Sequence, residues 1–268
     1  MGTQSVNVTR SRRMRGLSKR LVAHRGSPFE YPENTLPGIE AAVETGTRWF
    51  EVDVQFTSDF IPVVYHDDTL LRVSGANESI LDTPLSRLRQ HSAAYSEKFG
   101  DRFADVPIIT LERLWHQLKK WDDVQIFLEV KTHAIEHFGR EPVMKSLLKS
   151  IEEHGLEDSI GAIISKDDGA MVYARERTGL PIGFVLPEYS EKYRIRCQRA
   201  MPDFIFIKST RLPTDPAKIW SGNWKWVVYT INDVDEAQSW FERGIDMVET
   251  DRIGDMMDHF RNWDQQQS

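Results

Sequence analysis

Between Leu21 and Thr250, short apolar runs alternate with longer segments in which apolar residues recur every three or four positions. Short runs bounded by turn residues read as buried strands, and the longer periodic segments read as helices with one apolar face. The predicted strands are Leu21–His24, Trp49–Val54, Gln125–Lys131, Ile160–Ile164, Ile182–Leu186, Phe204–Lys208, Trp226–Thr230 and Asp246–Glu249. Predicted helices lie between or after them at Leu36–Thr45, Leu111–Lys120, Pro142–His154, Gly169–Thr178, Glu188–Ala200, Pro213–Trp220, Val234–Arg243 and Arg252–Trp263. Thr35, Thr110 and Asp233 stand where helix N-caps belong, and Gly46, Gly155, Gly179 and Gly244 stand where helices stop.

Strict alternation of strand and helix implies a parallel sheet with crossover helices. Eight of each predict an α/β fold, a (β/α)₈ TIM barrel, with one interruption. The polar, glycine-containing stretch Thr69–Pro107 follows the second strand region and is read as a small insertion, with a helix at Pro84–Gln90. The expected organisation is a basic arm over residues 1–19, disordered, and one barrel domain over 20–268.

Composition narrows the function classes. The net charge is -7 over 268 residues, so no basic surface for nucleic acid is expected. Arg10, Arg12, Arg13, Arg15, Lys19 and Arg20 stand among the first twenty residues without an acid, which leaves the remainder still more acidic. The single Cys197 excludes an intramolecular disulfide framework, and no apolar run is long enough for a membrane span. A cytoplasmic protein is expected; the sequence leaves the oligomeric state open.

Barrel enzymes carry their working residues at the C-terminal ends of strands. Three predicted strands end in polar groups: His24-Arg25-Gly26, Glu51-Val52-Asp53 and Glu129-Val130-Lys131. Residues two apart in a strand share a face, so Glu51 pairs with Asp53 and Glu129 with Lys131. Taken alone, each pair reads as an ordinary half-exposed strand end or a surface ion pair. If the faces meet at the barrel mouth, three carboxylates converge and call for a hard cation such as Mg²⁺ or Ca²⁺. His24 and His66 each follow an apolar run beside a charged neighbour. Two imidazoles there could divide the work of taking and giving a proton.

These motifs, in this order, resemble the glycerophosphodiester phosphodiesterase family. The likeness rests on His24-Arg25-Gly26, Pro32-Glu33-Asn34-Thr35, Glu51-Val52-Asp53, His66-Asp67 and Glu129-Val130-Lys131. It continues through Pro107, Leu111-Glu112, Val228-Tyr229-Thr230-Ile231-Asn232-Asp233, Gly244-Ile245-Asp246 and Thr250-Asp251-Arg252, covering residues 20–255. The resemblance implies that Glu51, Asp53 and Glu129 hold one divalent cation, that His24 and His66 are the general acid–base pair, and that Arg25 and Lys131 grip the phosphate. Glu33 and Asn34 would support the His-Arg loop. The implied substrates are small glycerophosphodiesters of lipid and glycerol metabolism, cleaved to an alcohol and glycerol 3-phosphate. A phospholipase D-like action on lysophospholipid or sphingomyelin is the nearest alternative, and a non-catalytic module docked to a membrane by the basic arm is a second.

Three positions depart from the family pattern. Ser58-Asp59-Phe60 stands where Lys-Asp-Gly is common, Tyr229 where Trp is frequent, and Ser165-Lys166 where Ser-Phe is familiar.

Overall fold

Each apolar run becomes a strand because both of its faces are covered, by helices outside and by the barrel lumen inside. In the computed structural model, which describes residues 14–267, these strands are β1 (Leu21–His24), β2 (Trp49–Phe56), β3 (Pro62–Val64), β4 (Gln125–Val130), β5 (Ile160–Ser165), β6 (Ile182–Leu186), β7 (Phe204–Lys208), β8 (Lys225–Tyr229) and β9 (Met247–Thr250). The sheet runs β1-β9-β8-β7-β6-β5-β4-β2-β3, and pairing of β1 with β2 closes eight parallel strands into a TIM barrel. β3 is the exception. It pairs antiparallel with β2 as a short hairpin edge, and it carries the chain toward His66.

The expected caps hold their helices. Thr35, Thr110 and Asp233 accept from the backbone N–H groups of Gly38, Arg113 and Glu236. Two expectations about helices are corrected. Pro213–Trp220 is not a helix but an irregular segment with a 3₁₀ turn at Pro216–Lys218. Pro213 and Pro216 lack backbone donors, and the Tyr189 hydroxyl takes over two backbone partners, donating to Lys218 O at 2.6 Å and accepting from Trp220 N at 2.9 Å. Conversely, an unforeseen helix Thr132–Phe138 starts directly after β4.

The packed chain begins before the boundary expected at residue 20. Met14 and Leu17 are buried, and Asp264 accepts from the backbone of Leu17 and Ser18 at 2.9 and 3.0 Å. The rest of the expected arm, residues 1–13, lies outside the described residues. Within Thr69–Pro107 short helices form at Leu71–Ser74, Leu85–Leu88 and Ser96–Phe99. The rings of Tyr95, Phe99 and Phe103 pack edge to face in sequence, and Phe103 meets Tyr31 at 5.5 Å. The insertion therefore rests on the loop that follows β1.

Alternation along the strands sorts the lumen by depth. Val22, Phe127, Phe204, Phe206, Val227 and Met247 form an apolar cluster of their own, joined by Trp49. Farther along the same inward rows come His24, Glu51, Glu129 and Glu249. The lumen thus has an oily floor and a polar mouth, a packed interior and not a pore.

The floor depends on a bulge in β5. Ile126 pairs with Ile160 but Phe127 with Ala162, which leaves Gly161 as the extra residue. A Cβ on Gly161 would lie 2.5 Å from the Trp49 ring, which is stacked on Phe127 with centroids 4.9 Å apart. Gly161→Ala is expected to force that ring out of its stack and lower stability by about 1–3 kcal/mol. Chemical denaturation monitored by Trp fluorescence reads this as a lower midpoint with unchanged slope.

Candidate active site

Strand register brings the polar ends together. Asp53 lies opposite Glu129 across β2 and β4, and His24 opposite Glu51 across β1 and β2. Carboxylate oxygens of Glu51, Asp53 and Glu129 all lie within 4.8 Å of one another. The three acids expected to converge do converge. Asp53 is completely buried and Glu51 is 2% exposed, so bulk water screens neither.

Two cations stand among these acids. Lys131 Nζ lies 3.0 Å from both Asp53 Oδ1 and Glu129 Oε1, and Arg25 Nε lies 2.9 Å from Asp53 Oδ2. Burial alone would raise the Asp53 carboxyl, but Arg25 and Lys131, helped by His66 and Asn34, hold it far below the usual carboxylate range. Glu51 goes the other way. Burial first, then the negative charges of Asp53 and Glu249, push it well above the normal value. Its Oε1 is buried without a hydrogen-bond partner, whereas Oε2 takes only a 3.3 Å contact from Arg25 N. A buried carboxylate oxygen with no donor, in a set of oxygen ligands within reach of one ion, fits a hard divalent cation.

The loop after β1 holds a strained geometry. Arg25 and Asn34 adopt φ of 55° and 58°, the left-handed region that non-glycine residues seldom occupy. Asn34 is fixed there by two bonds to Asp53, donating from Nδ2 at 2.8 Å and accepting from Asp53 N at 3.2 Å. Glu33 accepts from Arg25 Nη1 at 3.0 Å.

Each histidine has a carboxylate behind it. His24 Nδ1 lies 2.7 Å from Asp251 Oδ1, and His66 Nδ1 lies 2.5 Å from Asp67 Oδ1. An ionised carboxylate can only accept, so each Nδ1 carries a proton and Nε2 is left as the nitrogen that can exchange one at the mouth. Both acids are held ionised against the cost of burial: Asp251 by His24 and Asn232, Asp67 by His66 and Arg72. His24, Arg25, His66, Glu51, Glu129 and Lys131 line one cavity at the barrel mouth. A larger groove near Lys145, Leu148, Tyr173 and Pro181 contains none of these groups.

Residue-by-residue reading of the sequence missed three partners. Asp251 backs His24 from the end of β9, and Glu249 faces the same cavity two residues earlier. Glu249-Thr250-Asp251 repeats the spacing of Glu51-Val52-Asp53, a signal that was available in the sequence. Arg72, from the insertion, is the third. It donates to both oxygens of Glu33 at 2.6 and 2.8 Å and to both oxygens of Asp67 at 2.7 and 3.1 Å. Only the folded chain shows that reach. The departures from the family pattern have local consequences. Phe60 takes φ 62° where glycine is usual, and its ring stacks on Phe56 at 4.9 Å. Tyr229 and Lys166 line the cavity.

A barrel mouth carrying three converging acids and two carboxylate-backed histidines agrees with what sequence profiles find. The profile of the glycerophosphoryl diester phosphodiesterase family matches residues 24–255, and the chain belongs to that family. Among relatives, the glycerophosphodiester phosphodiesterase of Caldanaerobacter subterraneus subsp. tengcongensis is 31% identical over 140 residues, 52% of this chain and 55% of that protein. Mouse glycerophosphodiester phosphodiesterase 1 is 34% identical over 113 residues, 42% of this chain but only 34% of that protein. The matches thus span about a third to a half of those relatives. A phosphodiesterase from Oleispira antarctica, solved with the product sn-glycerol-3-phosphate, superposes with a TM-score of 0.81 at 25% identity, covering 90% of this chain and 96% of that one. A Silicibacter pomeroyi protein described as a glycerophosphoryl diester phosphodiesterase shares the fold, with a TM-score of 0.78 at 20% identity over 95% of this chain and 97% of that one. Among the described residues no helix is long and apolar enough to cross a membrane.

Glu51 is raised by burial, and burial also lifts Glu249 to about 7, against the pull of His24. A raised carboxyl stabilises the fold below its unfolded value of about 4.3, and that stabilisation is lost as pH rises through the folded value. A divalent cation binds the ionised forms, so its benefit grows over the same window. Differential scanning fluorimetry with saturating Mg²⁺ or Ca²⁺ is expected to raise the melting temperature by several degrees at about pH 8 and by much less at about pH 5. Equal shifts at both values would contradict this electrostatic account.

Proposed function

We propose that the protein hydrolyses glycerophosphodiesters to an alcohol and glycerol 3-phosphate with the help of one divalent cation, Mg²⁺ or Ca²⁺. The observation that carries this reading is the meeting of two carboxylate-oriented imidazoles with three acids at one barrel mouth. Family membership and the product complex of the Oleispira antarctica neighbour support it.

Glu51, Asp53 and Glu129 would hold the cation, which when bound supplies Lewis-acid charge to the phosphoryl oxygens. Arg25 and Lys131 grip the phosphate from the protein side. Their raised pKa values, set by Asp53 and neighbouring acids against the cost of burial, keep both charged throughout the working range. Fixed positive charge of this kind offsets the repulsion between an anionic diester and an incoming oxygen, and costs no reorganisation during reaction. One histidine, neutral, takes the proton of the attacking hydroxyl through Nε2, and the other, starting as the imidazolium, gives its Nε2 proton to the leaving alkoxide. The attacking oxygen is a neighbouring glycerol hydroxyl or a water molecule. Asp251 and Asp67 keep the two rings in the tautomer that this exchange requires, while Glu33 and Asn34 hold the strained loop behind Arg25.

A small polar substrate is favoured over a lysophospholipid because the rings of Tyr95, Phe99 and Phe103 are spent on one another and on Tyr31 inside the insertion. Turnover of glycerophosphocholine should exceed that of lysophosphatidylcholine.

The direct test is enzymatic release of glycerol 3-phosphate from a panel of glycerophosphodiesters with Mg²⁺ or Ca²⁺ present. No release from any of them by folded protein would sink the proposal. His24→Ala and His66→Ala are each expected to lower kcat by roughly 10²–10⁴-fold with the fold intact by circular dichroism. Arg72→Ala removes the tie between Glu33 and Asp67, and is expected to lower kcat by roughly 10–100-fold with KM little changed. A rise in KM alone would mean that Arg72 serves substrate binding and not the orientation of His66.

A further inference from the structure

Glu249 is 3% exposed, faces the cavity, and keeps one carboxylate oxygen, Oε1, without any hydrogen-bond partner. The mechanism above gives it no task. It nevertheless belongs to a second constellation: ligand atoms of His24, Glu51 and Glu249 all lie within 4.8 Å of one another. This group shares Glu51 with the oxygen-only triad but includes neither Asp53 nor Glu129. The unpartnered Oε1 atoms of Glu51 and Glu249 make it more than a gathering of acids, because each is a desolvated acceptor without a donor.

The donor chemistry of the two groups differs. Three carboxylates suit a hard ion such as Mg²⁺ or Ca²⁺, whereas one imidazole nitrogen with two carboxylates suits a borderline ion such as Zn²⁺. Such an ion, with bonds of about 2.0–2.2 Å to nitrogen and oxygen, would draw together three donors that already lie within 4.8 Å of one another. His24 is prepared for this as well. Its Nδ1 is bound to Asp251, the carboxylate–histidine arrangement that commonly supports a zinc ligand, and its Nε2 is left as the nitrogen that can bind.

The geometry points to a second metal site, formed by His24, Glu51 and Glu249, that takes one Zn²⁺-class cation and is distinct from the triad of Glu51, Asp53 and Glu129. On the proposed mechanism, which this consequence rests on, occupation of the site ties up the Nε2 that His24 needs for proton transfer and engages Glu51, a ligand shared with the hard ion, so that Zn²⁺ is inhibitory.

Isothermal titration of the full chain with Zn²⁺ alone and with Mg²⁺ alone separates the two sites. Wild-type protein is expected to take one Zn²⁺ per chain. Glu249→Gln should weaken Zn²⁺ binding at least about tenfold while the Mg²⁺-induced rise in melting temperature persists, and Glu129→Gln should do the reverse. Zn²⁺ affinity unchanged in Glu249→Gln, or lost together with Mg²⁺ binding in Glu129→Gln, overturns the proposal. Should either variant misfold, anomalous scattering at the zinc edge from wild-type crystals decides the matter. A peak bonded to His24 Nε2 upholds the second site, and a peak only between Asp53 and Glu129 refutes it. None of these readouts depends on the substrate, so they stand or fall apart from the proposed hydrolysis.

Discussion

Like charges buried together are the constraint from which the rest of this mouth follows. Glu51, Asp53, Glu129 and Glu249 share a space with little access to water, above an apolar floor that offers them no dipoles. In such a medium their mutual repulsion is too large to leave uncompensated. The fold answers with Arg25 and Lys131 inserted directly against Asp53, and that suffices for one acid. Glu51 and Glu249 are pushed upward first by burial and then by the neighbouring acids, which the two cations offset only in part. A divalent cation would remove that imbalance. The same imbalance makes the mouth attractive to a divalent cation, and any attraction for an anionic diester would come from that cation with Arg25 and Lys131.

Precise placement of the histidines depends on elements outside the regular barrel. His24 ends a barrel strand and is steadied from β9, but His66 follows a three-residue antiparallel edge and is steadied by its own neighbour, Asp67. Arg72 compensates for that weaker footing. By gripping Asp67 and Glu33 together it ties the hairpin, the insertion and the loop after β1 into one charged network. The insertion thereby takes part in the site's internal alignment.

Much of this was legible in the chain before folding. The strands were readable because a parallel barrel covers both faces of each, leaving unbroken apolar runs such as Ile160–Ile164, and the polar residues ending three of them marked the mouth. The triad was readable because period-two alternation puts Glu51 and Asp53 on one face. What escaped had physical reasons. The Pro213–Trp220 segment has the spacing of a helix, but its backbone groups are claimed by Tyr189, a partner distant in sequence. β3 is three residues long and starts with proline, too short for any period to show. Arg72 acts through side-chain reach across the mouth, which no local pattern encodes. Glu249 carries the signal of alternation, but at the close of a short apolar run it has the pattern of an ordinary strand end.

The filled lumen has a consequence for traffic. Among the described residues, Phe127, Phe204, Phe206 and Met247 pack beneath the acids and close the floor of the lumen. For the proposed reaction, both fragments of a cleaved diester must depart through the opening by which the intact molecule arrived. In that reaction the alcohol, which carries no phosphate, would leave first, while Arg25 and Lys131 would detain the phosphate-bearing fragment. Under that reaction the order of departure would follow from one opening at the mouth, with its grip on the phosphate-bearing traveller.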